Sequence, residues 1–390
     1  MRTIPWPLLG AVCAAYLLWA GAQQPTVARL DGTKITPAQI DAAVRKSMRQ
    51  ANVTGLGLAI FSRGRITYLK SYGSRDTEKH LPLTPDSIMT AASLTKPAFA
   101  AMVMELAHDR IIELDKPIFE YLPKPLAEYS RYRDLASDAR YREITMRMLL
   151  DHTSGLPNWR WATEDKKLRI YFTPGSRFAY SGEGIELAQM VAEVVTKQPI
   201  TDLMNARIFE PLGMARTSMV WESRFESDYA NGYDEHGKSL GPQRRRTGDA
   251  AGGMQTTLGD YARFVEAVLD AKIPNRASRE MMLSPQIQIT SKHEFPSLDT
   301  ATTTQNQAIH LSYGLGWGLY WSPYGKAFFK EGHDEGWRHY VVCFEKPGTG
   351  MLIMTNSSNG EDTYDGLLRR LIGDDFTPLA WEEFRPSSGN

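Results

Sequence analysis

A serine hydroxyl is a poor nucleophile at neutral pH and needs a base within hydrogen-bond reach. In Ala91-Ala92-Ser93-Leu94-Thr95-Lys96-Pro97 a lysine follows a serine by three positions. The run Ala98–Ala107 behind it predicts a helix, so Ser93 and Lys96 fall one turn apart on a shared face. A lysine in that place acts as the base when burial and neighbouring cations lower its pKa. The helix N-terminus adds positive partial charge where an oxyanion would form. Ser-x-x-Lys by itself is a common tetrad, and partners elsewhere in the chain must carry the case.

Two stretches offer partners. Thr173-Pro174-Gly175-Ser176-Arg177-Phe178-Ala179-Tyr180-Ser181-Gly182 has turn chemistry at Pro174-Gly175 and brings a phenol, Tyr180, to the mouth of a helix predicted from Glu183. A tyrosine whose pKa is lowered by a nearby lysine can take and return a proton. Glu331-Gly332-His333-Asp334-Glu335-Gly336-Trp337 precedes a predicted strand, Arg338–Phe344. A strand edge there gives one backbone N–H to an oxyanion and Ser93 gives the other, with His333 in a cationic or hydrogen-bonding position beside the tyrosine.

Competing chemistries find less support. His152 lacks a serine–acid partner pattern and reads as a structural loop histidine. The chain has no Gly-x-Ser-x-Gly elbow. His293-Glu294 begins like a zinc motif, but no histidine follows at the required spacing, and His333 and His339 merely flank two acids. Neither a metal nor a cofactor is expected. Cys343, within Tyr340–Phe344, reads as a buried core thiol.

The elements that must position these residues follow from pattern. Thr36-Pro37 opens a helix with Ile40, Val44 and Met48 on one stripe. Gly55–Phe61 and Arg65–Gly73, joined by Ser62-Arg63-Gly64, predict a β-hairpin. Helices are predicted over Glu143–Leu150, over Glu183–Thr196, from Thr201 to Pro211, and over Asp260–Leu269. Residues 271–307 read as loop-rich. Strands are expected at Tyr313–Trp321, Arg338–Phe344 and Met351–Asn356, and a last helix at Asp362–Ile372. With strands at both ends and helices between, the expected fold class is α/β (α+β): one antiparallel sheet flanked by helices, with a mainly helical inserted lobe. A sheet lobe over 36–92 and 255–375 would meet a helical lobe over 93–254 across a cleft.

Bulk properties set the compartment and the partners. The 390 residues carry 45 Lys+Arg and 45 Asp+Glu, so no overall charge draws nucleic acid or an anionic membrane. Arg244-Arg245-Arg246 reads as a solvated loop. Arg2, the apolar stretch Leu8–Ala20 and the small residues Ala20-Gly21-Ala22 form an expected secretory signal over 1–22, cleaved after Ala22 or kept as a membrane tether. The single domain would then run over 23–384, with a frayed tail at 385–390. Either way the working part lies outside the cytoplasm, secreted or periplasmic, and its partner is a small-molecule or peptide substrate.

Taken together these segments resemble the serine β-lactamase and penicillin-binding protein superfamily, in the branch of class C β-lactamases, D,D-carboxypeptidases and family VIII esterases. The resemblance is carried by Ala91–Lys96, Met148–Pro157, Phe172–Ser181, Phe209–Met214, Ala251–Met254 and Gly332–Trp337, in the family's order. It implies a β-lactamase/transpeptidase-like fold, Ser93 as the acylated nucleophile, Lys96 as its activator, and Tyr180 as the tyrosine of a Tyr-x-Asn motif. It also puts His333 or Asp334 at the basic position of a third motif that reads Lys-Thr-Gly or His-x-Gly in relatives, and Gly336 or Trp337 at the oxyanion N–H. Gly182 stands where relatives have the asparagine that holds the acyl-side amide of the substrate. Three functions follow: hydrolysis of β-lactams, D-alanyl peptides or small amides; carboxylester hydrolysis; and non-hydrolytic binding of penicillin or peptidoglycan.

Overall fold

The computed structural model describes residues 26–273 and 275–384. The expected signal over 1–22 and the tail over 385–390 lie outside the described residues, and no helix among the described residues is long and apolar enough to cross a membrane.

The main sheet has nine strands among the described residues. In chain order they are β1 Gly55–Ser62, β2 Arg65–Asp76, β3 Leu81–Pro82, β4 Ile287–Gln288, β5 Ser312–Tyr313, β6 Gly318–Ser322, β7 Gly325–Asp334, β8 Trp337–Phe344 and β9 Thr349–Thr355. They lie in the order β4-β5-β6-β7-β8-β9-β1-β2-β3, all antiparallel. The first strands of the chain thus close against the last one, Thr355 facing Leu56 and Gly350 facing Phe61. Their alternation sorts side chains to two faces. Val341, Cys343, Leu352 and Met354 face a core built with the central helices. Tyr340, Val342, Phe344, Met351 and Ile353 face a second core under the N- and C-terminal helices. This is the expected antiparallel sheet between helical layers, and Cys343 is the expected buried thiol.

Helix α1, Pro37–Gln50, starts at a capping box in which Thr36 Oγ1 accepts from Gln39 N and Gln39 Oε1 accepts from Thr36 N. It buries Ile40 and Val44 fully on the sheet, worth about 1.5–3 kcal/mol per side chain. Helix α2, Thr95–His108, is apolar almost all round and accordingly buried on most of its surface. Helices α3, Gly182–Thr196, and α4, Leu258–Leu269, pack beside it. A two-rung ladder, Met89 with Thr256 and Thr90 with Gln255, ties the chain as it leaves the sheet to the chain as it returns. That ladder lies immediately before Ser93.

Three local expectations are corrected. The stretch before Arg338, where no strand is expected, carries β7 as far as Asp334, with Phe328, Phe329, Lys330, Glu331 and Gly332 all buried. Its charged pair Lys330-Glu331 hides a strand whose two faces are both covered. The expected strand Tyr313–Trp321 is two strands, broken at Gly316 with φ +82°. Residues 271–307 hold a helix, Arg276–Met282, and the edge strand β4.

Strand β7 meets the Ser93 turn at Gly332, where a Cβ would come within 2.9 Å of Ala91 O and 3.3 Å of Leu94 N. Gly332→Ala is expected to lower unfolding stability by about 1–3 kcal/mol, as overpacking does, and to slow labelling of Ser93 by a fluorophosphonate more than tenfold. Chemical denaturation and labelling kinetics check this; unchanged values for both would mean that the strand and turn are not in register as described.

Candidate active site

The turn Ala92–Leu94 delivers Ser93 to the N-terminus of α2. Ala92 takes φ +48°, a left-handed backbone that costs a non-glycine residue about 1–3 kcal/mol. Surrounding bonds hold it there. Leu94 N donates to Ala91 O (3.1 Å), Ala91 N to Met254 O (2.8 Å), and Tyr261 Oη to Leu94 O (2.9 Å). Thr95 Oγ1 donates to Ala92 O (2.6 Å) while accepting from Met254 N (3.2 Å). Below the turn, His339 Nδ1 accepts from Thr355 N (3.2 Å). His339 Nε2 therefore carries the proton and donates to Thr90 O at 2.7 Å. Burial lowers the His339 pKa to about 4, which keeps this ring neutral.

Lys96 lies beside Ser93, where the spacing of three places it. Its side chain is 1% exposed, and Nζ lies 2.9 Å from Ser93 Oγ and 2.5 Å from Ala251 O. Burial, and after it the charge of Lys330, depresses its pKa from 10.5 to about 7. A neutral amine can accept the hydroxyl proton, and near pH 7 a large share of Lys96 is in that form. Ser93 itself keeps part of its surface open.

Tyr180 joins them, in a different protonation state from the one expected. Its ring carries the Lys96 ammonium 4.9 Å from its centroid and the Lys330 ammonium at 4.6 Å. Burial, and then the Glu331 charge, pushes the phenol well above its ordinary pKa. The neighbouring lysines therefore do not make it a phenolate, and it rests as a proton donor. Its hydroxyl is buried, and a hydrogen bond with Ser93 lowers its pKa by less than burial raises it. His152 sets this ring's position. Buried, with φ +60°, it accepts from Ser181 N through Nδ1 (3.2 Å) and lies 4.5 Å from the Tyr180 ring. The structural role expected for it is the one it has.

The third partner is Lys330, which the sequence reading passed over. Lys330 is fully buried, and its Nζ contacts the Glu331 carboxylate. Lys330-Glu331-Gly332 has the Lys-x-Gly form three residues ahead of the frame set on His333. The His333 ring turns away, against Phe384 at 5.0 Å and 3.6 Å from Glu361. Asp334 pairs with Arg245 (3.0 Å), so neither fills the basic position. Gly336 N donates to Ser358 Oγ (2.9 Å), and Trp337 is paired with Asp334 across the β7–β8 hairpin, so both N–H groups are engaged there.

The ladder shows which strand N–H does. Strand β6 pairs with β7 only as far as Phe329, whereas β8 pairs as far as Asp334. Glu345 N donates to Lys326 O, which fixes the even-numbered residues of β7 as those bonded to β8. The main-chain groups of Glu331 and His333 therefore point to the open edge, beside the Gly332 contact with the turn. The backbone N–H of His333 thus lies free of the ladder on the open edge, while its side chain turns away from the site.

Behind Lys330 lie Glu294, Glu331 and Glu382, all buried, with carboxylate oxygens within 4.8 Å of one another. Tyr340 Oη donates to Glu382 Oε2 at 2.6 Å. Burial first, and the mutual charge of the acids second, raises Glu294 and Glu382 well above the usual carboxylate range, so these two hold protons. Among the described residues this is the group whose oxygens could hold a cation; the Lys330 ammonium supplies positive charge there instead. His293 points elsewhere, to Glu383 at 3.3 Å.

Gly182 has a specific cause. A Cβ there would meet the Trp159 ring at 2.6 Å, so the indole occupies the space in front of this residue. An asparagine would collide with it.

Comparison with known proteins bears on the family and the fold. A family model described as Beta-lactamase matches residues 40–374. Esterase EstB of Burkholderia gladioli is 28% identical over 257 residues, which are 59% of this chain and 62% of that protein. Penicillin-binding protein 4* of Bacillus subtilis (strain 168) is 26% identical over 312 residues, 71% of this chain and 62% of its own. The chain thus spans under two thirds of the length of either relative. Among solved structures, an octameric penicillin-binding protein homologue from Pyrococcus abyssi superposes with TM-score 0.68 at 22% identity, over 86% of this chain and 77% of that one. D-alanine carboxypeptidase AmpC from Burkholderia cenocepacia gives TM-score 0.67 at 19% identity, over 85% and 97%. These two likenesses show the fold.

The Lys96 environment fixes a pH dependence. Its neutral form grows as pH rises, so the rate of Ser93 labelling by a fluorophosphonate should climb through an apparent pKa near 7. Lys330→Met removes a positive neighbour, raises the Lys96 pKa and should move that limb to higher pH. A limb that stays in place, or moves down, would take Lys330 out of the electrostatics of the base.

Proposed function

Because the chain belongs to the β-lactamase family, we propose that it is a serine hydrolase working through an acyl-enzyme on Ser93, with carboxylic esters as its substrates. The observation that carries the ester reading is the Trp159 ring in the space before Gly182, which leaves no amide side chain there to hold the acyl-side amide of a peptide or β-lactam. Lys330 supports it. Its ammonium is fully buried and held by Glu331, so it is not offered to a substrate carboxylate. The similarity to a protein named as an esterase points the same way.

The chemistry follows from the protonation states. Neutral Lys96 takes the Ser93 hydroxyl proton as Oγ attacks the carbonyl carbon. The N–H groups of Ser93 and His333 receive the charge on the carbonyl oxygen. Tyr180 gives its proton to the departing alkoxide and regains one from the Lys96 ammonium, so the alcohol leaves neutral and both side chains return to their starting forms. Water then attacks the acyl-enzyme. Its proton passes through Tyr180 to Lys96 and on to Ser93 Oγ as the acid departs.

Intact-protein mass spectrometry with p-nitrophenyl butyrate tests this. Wild type should turn the ester over and show a transient acyl adduct. Ser93→Ala should lose at least 1000-fold in kcat and form no adduct, on the scale seen when a nucleophile is deleted, while its thermal unfolding stays within about 1 kcal/mol of wild type. Retained turnover in Ser93→Ala would remove the acyl-enzyme. Rapid nitrocefin hydrolysis with negligible ester turnover would replace esters by β-lactams as the substrate class.

A further inference from the structure

Beside Tyr180 the surface opens into a cavity of about 500 Å³, within the size range of small-molecule sites. Its walls include Pro157, Trp159, Ala162, Tyr171, Phe295 and Leu298. Its wall adjoins the reaction centre at Phe295, whose ring lies 5.4 Å from that of Tyr180 in T-shaped contact. On the other side, Trp159 lies against Gly182, two residues beyond Tyr180. Trp161 stacks on Trp159, centroids 6.4 Å apart and planes at 14°, and extends this wall to the exterior, being 66% exposed. Of the charged lining residues Glu164, Asp165 and Arg169, the last two pair with one another, and the exposed wall area is mostly apolar.

The Trp159 wall is built rather than incidental. The segment 157–160 is laced onto the start of α3. Ser181 Oγ donates to Pro157 O (2.9 Å), Gly182 N to Asn158 Oδ1 (3.1 Å), and Glu183 N to Asn158 O (3.0 Å). Arg160 forks onto the buried Glu183 carboxylate through Nε (2.8 Å) and Nη2 (2.7 Å). A wall fixed this way loses little freedom when a ligand is seated on it. Flat aromatic faces set around such a volume suit a ring better than a chain of polar atoms.

We propose that this cavity binds a phenyl-sized apolar arm of the substrate, with Trp159 as the specificity-determining face. The inference rests on the hydrolase reading for its consequence in turnover, and on the cavity alone for binding. Three esters separate the arms: ethyl acetate, which has neither; ethyl 3-phenylpropionate, with the ring on the acyl side; and 2-phenylethyl acetate, with the ring on the alcohol side. By pH-stat assay, wild type should favour one phenyl ester over ethyl acetate, and Trp159→Ala should lower that kcat/KM ratio about tenfold, the scale on which apolar pockets discriminate. Leu298→Asn, on another part of the wall, should lower the same ratio, and Trp159→Phe should restore much of it. The arm whose ratio falls is the one that enters the cavity.

Binding is read separately in the Ser93→Ala chain, by equilibrium dialysis of ethyl 3-phenylpropionate and of 2-phenylethyl acetate. Adding Trp159→Ala should weaken one of them about tenfold. Equal binding of both by the two chains would overturn the proposal, as would ratios that stay constant across all three variants. If wild type hydrolyses none of the esters, the hydrolase reading falls while the dialysis still decides the cavity.

Discussion

Two buried lysine side chains share the ring of Tyr180. Burial makes a positive charge costly on Lys96, and the charge of Lys330 adds to that cost. The cost falls on Lys96, which has main-chain and serine oxygens for company, whereas Lys330 has the Glu331 carboxylate. Lys96 therefore gives up its proton near neutrality and Lys330 keeps a partner for its charge. From that asymmetry follows an amine able to lose its proton one hydrogen bond from Ser93, while burial and then the Glu331 charge keep the phenol protonated.

The fold exists in this region to keep that geometry. Strand β7 brings Lys330 to the ring and passes Gly332 against the turn. The ladder Met89–Thr90 with Gln255–Thr256 fixes where the turn begins. Ala92 is held in a left-handed conformation by bonds from α4, from the Met254 segment and within the turn itself. His152 and His339, both buried and neutral, act as fixed hydrogen-bonding wedges, one under Tyr180 and one under Thr90. Neither touches the reacting atoms, so both are positioning residues.

What the amino-acid pattern reveals, and what it hides, divides along a physical line. Ser93 and Lys96 are legible because a helix makes a spacing of three into a contact. Tyr180 is legible because it stands between the Pro174-Gly175 turn and the helix predicted from Glu183. The antiparallel sheet is legible wherever apolar residues run continuously, as in Gly55–Phe61 and Arg338–Phe344. Strand β7 is not, because Lys330-Glu331 interrupts its apolar run and looks solvated. Only the tertiary structure shows that the two neutralise one another inside the protein. Missing that strand shifted the third motif by three residues, onto His333, and shifted the oxyanion N–H with it. The reason for Gly182 was equally hidden, since Trp159 reaches it from a loop more than twenty residues earlier.

The central claim is that Lys96 is a neutral base near physiological pH. Its pKa can be read directly by following the 13Cε resonance of Lys96 in the full chain across pH, assigned by its loss in Lys96→Met. A titration near 7 is the predicted result. A Lys96 that stays charged and titrates near the ordinary lysine value, about 10.4, would contradict the account.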